Sequence, residues 1–101
     1  MIITNTKLSE VKVISNNDTF EDFRGEYVET YNRKLYFKNG IDIDFVQDDY
    51  SWSNKGVLRG LHGDKETWKL ISCPFGKFYL VVLDLNKSSN SYGLWESFVL
   101  S

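Results

Sequence analysis

The sequence predicts an all-β fold. Three features point to it: short segments rich in β-branched and aromatic residues, turn-forming clusters between them, and a single stretch with helical spacing. In chain order the predicted strands cover residues 11–15 (VKVIS), 25–31 (GEYVETY), 42–48 (DIDFVQD), 57–62 (VLRGLH), 67–73 (TWKLISC), 77–85 (KFYLVVLDL) and 95–101 (WESFVLS). Branched and aromatic side chains of this kind fit a pleated, half-buried surface. The intervening clusters SNND, FKNG, SNKG, HGDKE, PFG and NKSSNS are built from the residues that turn a chain. None is long enough to link two domains, so residues 1–101 read as a single domain. The helical turn falls at residues 31–38, where Tyr31 and Leu35 share a face and Asn39 and Gly40 supply the stop. Short strands at this spacing, with so little helix, indicate a sandwich or barrel of the jelly-roll kind.

Side-chain alternation adds detail. The run 78–83 is apolar on both faces of its strand, which calls for cover on both sides, by an opposing sheet and by a loop or a second subunit. Gln47 and Asp49 fall on one face of theirs, where they can line one cavity together.

Composition excludes several classes of function. The 14 acidic and 12 basic residues leave a net charge of −2, without the cationic excess that supplies nonspecific affinity for nucleic acid. A 16% aromatic content argues against disorder. A single cysteine, Cys73, forms no intrachain disulfide, and a single histidine, His62, builds no multi-histidine metal site. The run 78–83 falls far short of the roughly 20 apolar residues a membrane helix needs. The N-terminal MIITNTKLSE lacks the basic start and apolar stretch of a secretory signal, so a cytoplasmic setting with Cys73 reduced is expected.

His62 is the residue with most chemical potential, because histidine titrates near pH 6.5 and can act as a base at neutral pH. By spacing alone, a loop or core histidine is the commoner reading, and Arg59 would be a surface arginine. Strict alternation sends Arg59 and His62 to opposite faces, so their joint use requires a bulge, which Gly60 makes cheap. Lys69 shares a face with Ile71 and Cys73. It could hold an oxyanion or a phosphate, though a solvated edge lysine is the more frequent case.

Four blocks, FEDFRGEYVETYN, FVQDDYSWSNKGVLRGLH, KLISCPFGKF and VLDLNKSSNSYGLW, closely resemble consecutive blocks of the dTDP-4-dehydrorhamnose 3,5-epimerase family in order and spacing, over residues 20–101. The resemblance implies a cupin-type jelly roll, the double-stranded β-helix, in a homodimer whose N-terminal strands cross to the partner. It implies no metal or organic cofactor, and a nucleotide-sugar substrate carrying a 4-keto-6-deoxy sugar. Deprotonation beside a ketone leaves charge that spreads onto oxygen as an enolate, so a base and an electrostatic clamp suffice. Position by position, the resemblance makes His62 the base and sets Lys69 beside the developing enolate oxygen. Arg59 would contact the nucleotide diphosphate. Arg24 and Glu29 would line the nucleotide-sugar pocket, on a segment able to reach the partner's site, and Gln47 matches a binding position. Asp49 stands where the family usually has Asn.

Two departures qualify these expectations. The string HGDKETWKL resembles a branch acting on GDP-linked 4-keto heptoses, leaving the substrate as a dTDP- or GDP-linked 4-keto sugar. The resemblance also covers the family's N-terminal half, so the jelly roll is expected to be incomplete, and the tyrosine acid and the acidic partner of the histidine would lie outside this chain. A nucleotide-sugar-binding or dimerisation module without turnover is the rival reading. A 3,4-ketoisomerase is the third, and it lacks support because such enzymes carry a second histidine close after the first.

Overall fold

The computed structural model describes residues 1–15 and 19–101. The turn expected at SNND falls mostly on residues 16–18, outside the described residues. The chain is mostly extended. Strands β1 (Ile2–Asn5), β2 (Lys12–Ser15), β3 (Thr19–Asp22) and β4 (Gly25–Val28) precede helix α1 (Arg33–Lys38), and β5 (Phe78–Leu83) and β6 (Trp95–Leu100) follow it. They form three two-stranded antiparallel sheets, β1–β2, β3–β4 and β5–β6. The fold is thus all-β with one short helix, and among the described residues the sheets do not close into a barrel.

The expected strands at 11–15, 77–85 and 95–101 correspond to β2, β5 and β6, and 25–31 shortens to β4. The expected strands at 42–48, 57–62 and 67–73 are corrected: these stretches belong to no strand. A strand is defined by its ladder, and among the described residues none of the three finds a neighbouring backbone to pair with. Conversely β1 and β3, which the sequence pattern did not single out, form because each folds back on the strand that follows it.

Helix α1 begins where Asn32, in an extended conformation, accepts a hydrogen bond on its side-chain oxygen from the Leu35 amide at 3.1 Å. It ends at Asn39, and Gly40 follows with φ +85°, a left-handed conformation that glycine adopts without a Cβ penalty. Tyr36 is the buried residue of the helix. Its ring meets Tyr31 edge-on at 4.8 Å, and Tyr31 meets Phe45 the same way at 5.7 Å. Burial, with Tyr31 beside it, pushes the Tyr36 phenol above its ordinary pKa of 10.0.

The β5–β6 register sets Leu80 opposite Phe98 and Phe78 opposite Leu100, while Tyr79 faces Val99. Phe98 and Leu100 are half-buried and Val99 is exposed, so the two faces of β6 differ as its alternation implies. Cover on both faces of β5 is realised in part: Leu80 to Leu83 are half-buried, while Phe78 and Tyr79 remain exposed.

The N-terminal hairpin is tied to the β5–β6 connection by a hydroxyl cluster. The Ser89 and Ser91 hydroxyls each donate to Asp84 Oδ2 at 2.6 Å, and the Asn86 amide donates to Oδ1 at 2.9 Å. Ser91 Oγ in turn accepts from the Ser9 amide at 2.9 Å. Nearby, the Lys7 amide donates to Glu96 Oε2 at 3.1 Å. Leu8, between these contacts, is 1% exposed. No helix is long and apolar enough to cross a membrane among the described residues.

Candidate functional site

The expected site residues fall on two kinds of structure. Arg24 lies at the tip of the β3–β4 hairpin, where Asp22 pairs with Gly25 across a two-residue turn. Gly25, at φ +128°, supplies the backbone freedom this closure needs. The Arg24 guanidinium folds back on its own strand and pairs with Asp22 at 2.6 Å. That pairing holds the Asp22 carboxyl below its ordinary 3.8 and raises the guanidinium. Arg24 also borders a groove of about 410 Å³ with Phe20 and Tyr27. Glu29, beyond the end of β4, accepts from Asn32 Nδ2 at 3.0 Å and lines a second groove of about 370 Å³ beside helix α1 with Lys34 and Lys38. These two grooves contain neither His62 nor Lys69.

The remaining positions lie on the extended, exposed stretch between α1 and β5. Gln47 Nε2 donates to Asp49 Oδ2 at 2.9 Å, so the two side chains stand on one side of the chain as their spacing requires, although no sheet fixes them there. Arg59 Nη2 donates to the Trp52 carbonyl at 3.0 Å, and the Trp52 ring stacks on Phe75 at 5.7 Å. Gly60 takes φ +118°, but because residues 57–62 belong to no strand, the bulge expected between Arg59 and His62 does not form.

His62 is exposed, and among the described residues no hydrogen bond engages its imidazole. Two residues on, Asp64 Oδ1 accepts from the Glu66 amide at 2.9 Å and the Thr67 amide at 2.7 Å, and the chain bends at Lys65 and Glu66 before reaching Lys69. The Thr67 hydroxyl, the two amides and the Lys69 charge hold the Asp64 carboxyl below its ordinary 3.8. Asp64 was not among the expected site residues. Its signal was the spacing D-x-x-T, a carboxylate able to accept from the second and third amides ahead of it.

The structure therefore brings Gln47 to Asp49, and links His62 to Lys69 through one bend. Arg24 pairs with its own hairpin and Glu29 with the helix cap. Chemically, an unengaged imidazole and a primary ammonium on either side of a bend can serve a proton transfer whose charge develops on oxygen. Among the described residues no group of three or more His, Cys, Asp or Glu is arranged to hold a metal ion.

Comparison with known proteins points to one family. Residues 5–101 match the family described as dTDP-4-dehydrorhamnose 3,5-epimerase. A protein of that name from Methanothermobacter thermautotrophicus is 40% identical over 91 residues, covering 88% of this chain and 49% of that protein. Proteins of the same name from Shigella flexneri and Salmonella typhimurium are 38% and 36% identical over 105 residues, covering 100% of this chain and 58% and 57% of theirs. The chain spans about half the length of the curated relatives it matches. All three relatives are named for a dTDP sugar, and none supports the GDP-heptose branch suggested by HGDKETWKL. With a match running through nearly its whole length, the chain belongs to the dTDP-4-dehydrorhamnose 3,5-epimerase family.

Proposed function

We propose that this chain takes part in the 3,5-epimerisation of a dTDP-linked 4-keto-6-deoxy sugar in the cytoplasm, as one subunit of a homodimer with a cupin-type jelly roll. His62 takes the proton from a carbon beside the ketone. The C–H electron pair moves into the ring, and the charge that develops on the ketone oxygen is met by the Lys69 ammonium. Arg59 binds the diphosphate, and Arg24, Glu29, Gln47 and Asp49 bind the rest of the nucleotide sugar. These assignments cover the deprotonation half of the reaction; return of a proton to the opposite face requires an acid that none of these residues supplies.

The observation that carries the reading is the family match over residues 5–101, which spans every one of these positions. The physical chemistry agrees with it. Epimerisation beside a ketone needs no redox partner, and an exposed imidazole followed by a lysine across one short bend supplies the two groups the enolate demands.

The test is proton NMR of a dTDP-linked 4-keto-6-deoxyhexose incubated with the protein, run beside its GDP-linked counterpart. With the incubation run in D2O, loss of the signals flanking the ketone in the dTDP sugar is expected. Lys69→Met should lower the saturated rate by about 10²–10³-fold, as removal of an oxyanion stabiliser does. Arg59→Ala should mainly raise KM. Turnover of the GDP sugar alone would reassign the nucleotide, and turnover of neither would favour the binding-module reading.

A further inference from the structure

We infer that Asp64 is a positioning residue whose carboxylate fixes the bend between His62 and Lys69, and so sets where the base and the enolate-holding ammonium meet one substrate. The inference rests on the roles given to His62 and Lys69 above. Three observations carry it. First, Asp64 Oδ1 takes both the Glu66 and the Thr67 amides, at 2.9 and 2.7 Å, and these are the hydrogen bonds that close the bend among the described residues. Second, packing cannot do the same work, because every residue from 61 to 70 is exposed. Third, Gly63 stands directly between His62 and Asp64 with open space around its Cβ position, so the backbone there has the widest conformational freedom of any residue.

A base and an oxyanion holder joined by a free glycine and an unclosed bend would sample many separations, and few of them would suit one ketone. Fixing the bend restores a narrow range before substrate arrives, which is the form of preorganisation that raises rate rather than affinity. The Thr67 hydroxyl and the Glu66 and Thr67 amides, with the Lys69 charge behind them, favour the ionised carboxylate, whose oxygens act only as acceptors. What the bend requires is an oxygen at that position. Asparagine can supply one with its amide carbonyl, and alanine cannot.

The experiment uses the intact protein with a dTDP-linked 4-keto-6-deoxyhexose in D2O, and dTDP itself as the binding probe. Asp64→Ala should lower the saturated rate of deuterium uptake by about 10- to 100-fold while the Kd for dTDP stays within roughly twofold. Asp64→Asn should stay within about threefold of the wild-type rate, since its carbonyl still closes the bend. Backbone amide exchange at Glu66 and Thr67, followed by 15N NMR, should quicken in the alanine variant and not in the asparagine one. Wild-type turnover in Asp64→Ala, or Glu66 and Thr67 amides that exchange alike in all three proteins, overturns the inference. The amide readout needs no turnover, so it separates a wrong role for Asp64 from a wrong role for His62, which deuterium uptake by His62→Asn would expose.

Discussion

At Ser91 one hydroxyl joins two hairpins that are remote in sequence: it donates to Asp84 at 2.6 Å and accepts from the Ser9 amide at 2.9 Å, with the residue 4% exposed. Removing it takes the acceptor from the Ser9 amide and leaves the Asp84 carboxylate short of one donor. Ser91→Ala should therefore lower stability by about 1–3 kcal/mol, read from the midpoint of a urea unfolding curve. The same cluster carries a pH dependence. Donation from Ser89, from Ser91 and from the Asn86 amide lowers the Asp84 pKa below 3.8. A carboxylate with a depressed folded pKa contributes stability that is fully present above 3.8 and lost as pH falls through the lower folded value. Asp84→Asn should remove that part of the acid sensitivity, and an acid unfolding profile unchanged from wild type would contradict it. Candidate site residues could be named from the sequence because family blocks carry them. The Asp84 cluster was not, since Ser9 and Ser91 are brought together only by tertiary folding.

Among the elements, helix α1 was the easiest to read, for its start and stop are local chemistry: Asn32 caps one end and Asn39 with Gly40 closes the other. Asn32→Ala should cost about 1 kcal/mol, seen as a lower thermal midpoint with β-sheet signals otherwise unchanged. Strands β5 and β6 were legible for a similar reason, their apolar runs being short and bounded by turn residues. The stretches 42–48, 57–62 and 67–73 carry the composition of strands yet form none, because alternation reports which face a residue would take and says nothing about whether a partner backbone is in reach. The opposite happened at β3, where four exposed residues pair across a tight turn with little apolar signal to announce them.

For the molecule as a whole, a Cα radius of gyration of 15.2 Å exceeds the roughly 13 Å of a compact chain of this length. The excess reflects apolar surface that finds no cover among the described residues: Trp52, Leu58, Leu61, Phe75, Tyr79 and Val99 are all more than half exposed. Exposed apolar surface beside unpaired sheet edges drives association. In isolation residues 1–101 should sediment as a dimer or larger species at micromolar concentration, and a stable dilute monomer would contradict this. All-β character was legible from composition, whereas the jelly roll expected from strand spacing and family resemblance is not seen among the described residues, whose three small sheets do not close. The family assignment survives that gap, since it rests on linked blocks and not on the sheet topology. Its catalytic core is the proposal that His62 removes a proton beside the ketone. The most direct measurement is deuterium uptake from D2O into a dTDP-linked 4-keto-6-deoxy sugar by the intact protein and by His62→Asn. Uptake beside the ketone in the wild type, reduced by about 10²–10⁴-fold in His62→Asn with dTDP affinity retained, is the predicted result; undiminished uptake in His62→Asn would contradict it.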